Sequence, residues 1–598
     1  MATESPPAAD PAALASQWLA MMTKAQADSQ AMFAELLKQP MAGADQGLDP
    51  LNVGPAMQEA ATKLMLDPAR LMQANLELWQ SHMALWQQAA ATMAGQAAEA
   101  VVAPEPGDRR FRHPDWDENQ LFSFIKQSYL ITSRWLVDTM AGVGGLDPQT
   151  ARKVEFYTRQ FADAFAPTNF PWSNPEVMRA TADSQGQNLV RGMENFRRDL
   201  DRGGGQLRMT MSDPEAFVLG ENIAPTPGKV VFQNDLIQLL QFSPATPSVH
   251  RMPILMVPAW INKYYILDLT AKKSFVRYAV AEGYTVFVIS WVNPDETLAG
   301  KTFESYLLEG IIAALDAIEA ATGEHNVSAV GYCIGGTLLA VALGYLAAAG
   351  DERIRAATFF TAQVDFSEPG DLAVFVDEPQ LDNLDKMMGE KGYLDSQAMF
   401  TTFNMLRAND LIWSFYVHNY LLGRDPVPFD LLHWNADATR MPRHMHLFYL
   451  RQMYIRNNLV KPGAITLGGL AIDLTKVTVP VYLQACREDH IAPFRSVFKA
   501  KHNYSGPVRF VLAGSGHIAG VINPPSANKY QYWLNPAEPQ EVDSWLASAT
   551  EHAGSWWPDW NAWLAAQSGD DVPARVPGDG KLPVIDDAPG SYVRQRTS

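Results

Sequence analysis

Apolar and polar positions change rhythm along this chain. Met72, Leu76, Trp79, Met83, Trp86, Ala90 and Met93 recur at alternating steps of four and three, which lines up one face of a helix. Two readings of that face stand open. It packs on the rest of the protein, or it offers a shape-adapting stripe to a partner or hydrophobic surface, since methionine moulds to irregular targets. A Pro-rich break at Ala103-Pro-Glu-Pro-Gly107 precedes a helical stretch carrying Trp116, Trp135 and Trp172. The Gly203–Gly205 run and then Pro225 to Gly228 put a boundary near residue 220.

Beyond it the pattern becomes short apolar runs separated by helical stretches. The runs fall at Val230–Phe232, Ile254–Val257, Thr285–Ile289, Val327–Val330, Ala357–Phe360, Val481–Ala485 and Val508–Leu512. Phe303–Ala320 and Thr337–Ala348 are helical stretches between them. This alternation predicts a mostly parallel sheet with helices on both faces. From about Asp365 to Met441 the alternation stops and Phe, Trp, Tyr and Met come at irregular spacing, as in a cap inserted over a sheet edge. The expected organisation is a Met/Ala-rich, partly flexible helical region over 1–104 and a helical domain over 105–220. An α/β catalytic domain follows over 221–568, with its cap at about 365–441, and an extended Pro-, Gly- and Asp-rich tail over 569–598.

Composition narrows the class. At 598 residues with 47% apolar residues the chain can bury a large core in two or three domains. A formal net charge of −18 argues against a nucleic-acid binder. The first hundred residues hold 10 of the 24 methionines, and 4 basic against 10 acidic residues. Two cysteines, Cys333 and Cys486, fit a reducing compartment. Neither a signal peptide nor an apolar run of membrane-spanning length is read, so a cytoplasmic, soluble or surface-associated protein is expected.

The chemistry concentrates at Gly331-Tyr-Cys-Ile-Gly-Gly336, between a strand-like run (Asn326 to Val330) and a helix-like one. A cysteine flanked two residues away by glycines has the spacing of a nucleophile elbow, where side chains would clash with neighbouring backbone. The turn also sets the sulfur at a helix N-terminus, which favours a thiolate.

In an open α/β sheet, reactive groups gather at the carboxyl ends of strands. Asp489 follows the run ending near Cys486, and His517 follows the run ending at Ala513. The order Cys333, Asp489, His517 is that of an α/β-hydrolase, here with an inserted cap and a mainly helical N-terminal domain. His517 is the candidate base for the thiol and Asp489 the group that orients it. Glu488 competes with Asp489, and His490 with His517. Cys486 reads as a buried strand residue. His444 and His446 are two apart, share no helix face and do not suggest a metal pair. No metal or cofactor is expected. The oxyanion hole is assigned to the N–H of Ile334 and, from Val257-Pro-Ala-Trp-Ile-Asn262, that of Ile261, with Trp260 as packing.

With these motifs in place the chain resembles the poly(3-hydroxyalkanoate) polymerases. The resemblance rests on the elbow, Pro258-Ala-Trp-Ile-Asn-Lys-Tyr-Tyr-Ile-Leu-Asp268, Ser290-Trp-Val-Asn-Pro-Asp295, Arg487-Glu-Asp-His-Ile-Ala-Pro493, Gly516-His-Ile-Ala-Gly520 and Ala588-Pro-Gly-Ser-Tyr-Val593. It covers roughly residues 105–593 and is similar to class I; Ala259 stands where the family usually has a second proline. The resemblance implies an acyltransferase that polymerises (R)-3-hydroxyacyl-CoA, above all 3-hydroxybutyryl-CoA, through a cysteine acyl-enzyme with release of CoA. It leaves open whether Asp489 orients His517 or activates the substrate hydroxyl. It further implies a cytoplasmic protein on polyester granules, contact with the growing polyester and granule-associated proteins, and a homodimer in equilibrium with monomer. Phe415, Tyr416, Tyr420 and Trp434 in the cap are candidates for excluding water. An esterase or thioesterase on the same fold would release free hydroxy acid instead. A non-catalytic granule scaffold is disfavoured because all three catalytic positions are filled.

Overall fold

The computed structural model describes residues 51–205 and 207–596. The Met/Ala-rich reading of residues 1–50 lies outside the described residues. Among the described residues the chain divides into two compact units, 51–103 with Gln127–Ala162, and Pro104–Lys126 with 163–596.

In the first unit, helix Pro68–Met93 starts where Asp67 caps it, the carboxylate accepting the Arg70 N–H at 3.1 Å with proline in the first turn. Leu85 is its fully buried residue. The face that packs runs through Leu71, Ala74, Leu78 and Leu85, one residue out of phase with the stripe read from the sequence. Met72, Leu76, Trp79 and Met93 of that stripe are instead more than half exposed. The preceding helix, Val53–Met65, buries Ala56 and Ala60 against Met140 and Val154.

The second unit is built on an eleven-stranded sheet. Its strands are β1 Gly228–Gln233, β2 Ile237–Phe242, β3 Ile254–Val257, β4 Val286–Trp291, β5 Val327–Tyr332, β6 Ile354–Phe360, β7 Val481–Cys486, β8 Val508–Ala513, β9 Gln531–Leu534, β10 Thr550–Ala553 and β11 Asp586–Asp587. Across the sheet the order is β10-β9-β8-β7-β6-β5-β3-β4-β2-β1-β11. The six strands from β8 to β4 run parallel, and the strands outside them pair antiparallel. β4, β5 and β7 are buried at every position, as strands with both faces covered must be. The chain steps from β3 to β4 on one side and then to β5 on the other, so the carboxyl end of β3 is a point where strand order reverses.

Val257 pairs with Gly331, Gly331 with Phe359, and Cys486 with Ala513, so the carboxyl ends of β3, β5, β7 and β8 come out at one edge. Between β6 and β7 the chain leaves the sheet, and its helices continue past Met441 to Lys476. Behind the sheet Trp556, Trp557 and Trp560 pack with Phe275 and Phe360; the Phe275 and Trp560 rings lie 4.7 Å apart. The Pro-, Gly- and Asp-rich run from Gly569 is pinned at several points. Asp571–Pro573 pairs with Ser248–His250, β11 pairs with β1, and Gln238 Oε1 accepts the N–H groups of Ser591 and Tyr592 at 3.0 Å each.

Candidate active site

Cys333 stands between β5 and the helix Ile334–Ala349 with φ 54° and ψ −126°, a region that costs a side-chain-bearing residue about 1–3 kcal/mol. Hydrogen bonds enforce it. The Cys333 N–H donates to Phe360 O at 3.0 Å, and the Cys333 carbonyl accepts the N–H groups of Gly336 and Thr337 at 2.9 and 3.2 Å. Glycine is required on both sides by close approach. A Cβ on Gly331 would overlap Gly336, and one on Gly335 would overlap the carbonyls of Val257 and Pro258. The half-buried thiol thus sits at a helix N-terminus, where the N–H groups of Ile334 and Gly335 have no preceding turn to accept them.

The other two sequence candidates meet beside it. His517 Nδ1 lies 2.7 Å from Asp489 Oδ2. The second carboxylate oxygen, Oδ1, accepts the N–H groups of Ile491 and Ala492 at 2.8 and 2.9 Å, which fixes the acid's orientation. Both side chains are buried. Burial alone would lower the His517 pKa; the charges of Asp489 and Cys333, and hydrogen bonds to both, overcome it and raise the value to about 10. The loop that carries His517 is tied down from outside the site. Trp556 Nε1 donates to Gly520 O at 2.8 Å and Trp557 Nε1 to Val521 O at 2.9 Å, while the Tyr332 ring lies 5.7 Å from the imidazole.

The competitors fall elsewhere. Glu488 is exposed, and its backbone N–H joins Ser515 O at 3.0 Å. His490 is half-buried with Nδ1 unpartnered, and burial first, then the nearby Arg407, lowers it to about 4. Cys486 is buried in β7, and burial pushes its thiol well up. His444 is exposed whereas His446 is buried. Ile261 sits in the loop after β3, its carbonyl accepting the Thr439 N–H at 2.9 Å, and Trp260 packs 4.8 Å from Tyr306.

The named cap aromatics join the cap to the helical region before the sheet and to the loop after β3. Tyr420 donates to Asp199 Oδ2 at 2.6 Å, Trp434 Nε1 to Lys263 O at 2.7 Å, Phe415 packs against Phe400 and Met211, and Tyr416 against Val177. A pair that sequence reasoning missed lies nearer the thiol. The Tyr449 and Tyr454 rings lie 5.7 Å apart, and the charge of Cys333 acts on both. Burial, the largest cause, raises both phenols. Their spacing of five gives no α-helical face; the π-helical turn Leu450–Ile455 brings them together.

Two family models match parts of the chain. "Poly-beta-hydroxybutyrate polymerase (PhaC) N-terminus" matches residues 107–279, and the alpha/beta hydrolase fold matches residues 252–524. The chain is 51% identical over 541 residues to a poly(3-hydroxyalkanoate) polymerase of Methylorubrum extorquens, covering 90% of this chain and 89% of that one. It belongs to the poly(3-hydroxyalkanoate) polymerase family. A polymerase subunit of Rhizobium meliloti is 50% identical over 530 residues, covering 89% of this chain and 86% of that one. One of Cupriavidus necator is 42% identical over 496 residues, covering 82% and 83%.

As a family member the chain is an acyltransferase with a helical N-terminal part and an α/β-hydrolase fold. In that fold Cys333, Asp489 and His517 follow β5, β7 and β8 at one sheet edge. No helix among the described residues is long and apolar enough to cross a membrane.

Proposed function

We propose that the chain polymerises (R)-3-hydroxyacyl-CoA, most simply 3-hydroxybutyryl-CoA, into polyester with release of CoA, on Cys333 as nucleophile. The observation that carries this reading is the 2.7 Å Asp489–His517 pair beside a cysteine at a helix head, in a chain of this family. His517 takes the Cys333 proton, and the thiolate attacks the thioester carbonyl. A carbon–sulfur bond to the enzyme forms and the bond to CoA breaks, with the proton passing from His517 to the departing CoA thiolate. One thioester replaces another, so the step is near balance. The 3-hydroxyl of a second unit then loses its proton and attacks the acyl carbonyl. An ester forms and the enzyme thiol is restored.

Ile334 and Ile261 N–H groups are the proposed donors to the oxyanion. Asp489 holds the imidazole tautomer or assists the hydroxyl. The reading takes 221–568 as the catalytic domain, the residues outside the sheet from about 365 as a cap that excludes water, and 105–220 as a helical domain. Beyond the substrate it includes work at the surface of cytoplasmic polyester granules, with granule proteins as partners, and a dimer in equilibrium with monomer.

Incubation with (R)-3-hydroxybutyryl-CoA, alongside Cys333→Ala, tests it. Thioester loss with insoluble polyester from the unaltered chain, and neither from the variant, is expected. Soluble 3-hydroxybutyrate would replace the polymerase with a thioesterase.

A further inference from the structure

The chain carries a formal charge of −18, yet Lys263 of the loop that follows β3 has Arg440 and Arg596 near it, and Arg208 is near Arg596. Lys263 lies in that loop, 3% exposed, and donates to the carbonyl of Gln595 at 2.7 Å. Asn293 Nδ2 reaches the same carbonyl at 3.5 Å, and Asn293 Oδ1 accepts the Arg440 N–H at 3.0 Å. One carbonyl therefore joins the loop after β3, the loop after β4, the cap segment and the residue before Arg596. The Arg440 guanidinium lies over the Tyr393 ring at 5.0 Å, with its Nε buried and unpartnered. Arg596 is exposed, and Arg208, half-buried, feels its charge.

The acids here are fewer. Asp437, Asp395 and Asp295 face the cluster, and Asp437 Oδ2 is engaged by the Tyr265 hydroxyl at 2.9 Å. Burial lowers Lys263 to about 8; Asp437 raises it, while Arg596 and Arg440 lower it further. Cations that repel one another, one of them buried, are stabilised by an anion, and guanidinium and ammonium donors suit phosphate oxygens. The same loop forms a wall of the elbow, because Gly335 abuts Val257 and Pro258. A ligand with its thioester at Cys333 and phosphates at its far end matches both features.

We propose that Lys263, Arg440 and Arg596, with Arg208 at the rim, bind the phosphate groups of the CoA moiety. This rests on the acyl-CoA reading above. The substrate's nucleotide end is read by charge on the β3 loop, while its acyl end meets Cys333.

The test compares (R)-3-hydroxybutyryl-CoA with (R)-3-hydroxybutyryl-pantetheine, which has the reacting end and no phosphate. Lys263→Gln and Arg440→Gln are each expected to raise KM for the CoA thioester about tenfold or more, with kcat nearly unchanged and KM for the pantetheine thioester unaltered. Arg596→Gln, at an exposed position where the fold tolerates substitution, shifts KM the same way by less. Equal losses on both substrates would overturn the proposal and make these residues supports of the loop.

A calorimetric titration of the Cys333→Ala chain with adenosine 3′,5′-bisphosphate, the nucleotide end alone, separates this from the polymerase reading. Binding that Arg440→Gln and Arg596→Gln weaken supports the site even where no polyester forms. No binding at millimolar ligand, or equal displacement by inorganic phosphate, would overturn it.

Discussion

His517 Nδ1 and Asp489 Oδ2 are 2.7 Å apart, and the other oxygen of Asp489 is held by two backbone N–H groups. That bond holds the imidazole in place with a negative charge beside it. Asp489→Asn keeps much of the shape and removes the charge. Loss of turnover by roughly a hundredfold or more is expected. The alkaline fall of kcat/KM moves to lower pH, since Asp489 is a main cause of the raised His517 value. A pH–rate profile identical in shape to that of the unaltered chain would remove the acid from this role.

The same pair bears on stability. His517 titrates higher in the folded chain, at about 10, than the ordinary histidine value of about 6.5. Its contribution is complete below about pH 6.5 and drains away as pH rises through about 10. Melting curves between pH 6.5 and 10 should fall more steeply for the unaltered chain than for His517→Gln. Parallel slopes would contradict the raised value.

Gly335 separates packing from chemistry. A Cβ there meets the carbonyls of Val257 and Pro258, backbone that has little room to yield. Gly335→Ala should destabilise by about 1–3 kcal/mol, read from the denaturant midpoint, and cut acylation of Cys333 by displacing the helix head. An unchanged midpoint with full activity would mean that the β3 loop moves aside freely.

The elbow and its partners were legible because each depends on local sequence: glycines where backbone crowds, and polar residues just past apolar runs. Asp489 could not be separated from Glu488 by pattern alone. The distinction rests on which side chain points back across the sheet edge to His517. Tyr449 and Tyr454 were hidden for another reason. A spacing of five is no helical period, and only the π turn at Leu450–Ile455 makes them neighbours. The indole bonds from Trp556 and Trp557 to the His517 loop join residues some 36 positions apart, which periodicity does not register.

Gln238 holds the carboxyl-terminal run. Its Oε1 accepts the N–H groups of Ser591 and Tyr592, its Nε2 donates to Ser591 Oγ at 2.9 Å, and the residue is 1% exposed. Gln238→Ala removes the acceptor of both N–H groups, that of Tyr592 being buried, and should cost about 1–3 kcal/mol. Limited proteolysis should then cut beyond residue 573 faster than in the unaltered chain. Equal cleavage rates would show that β11 and the buried Tyr592 hold the run without it.

Leu85 and Trp79 lie on one helix and should respond in opposite ways. Leu85 is fully buried, so Leu85→Ala leaves a cavity and should cost about 2–5 kcal/mol. Trp79 is 61% exposed and belongs to the out-of-phase stripe, so Trp79→Ala should change stability by no more than about 0.5 kcal/mol. Urea unfolding of the two full-length variants decides the matter. A large loss from Trp79→Ala would mean that the stripe is covered in solution, and a small loss from Leu85→Ala that the packed face is not the one described. The expected pattern leaves Met72, Leu76, Trp79 and Met93 as surface that folding does not require, so the cost of exposing them to water has to be explained by something other than the stability of this helix.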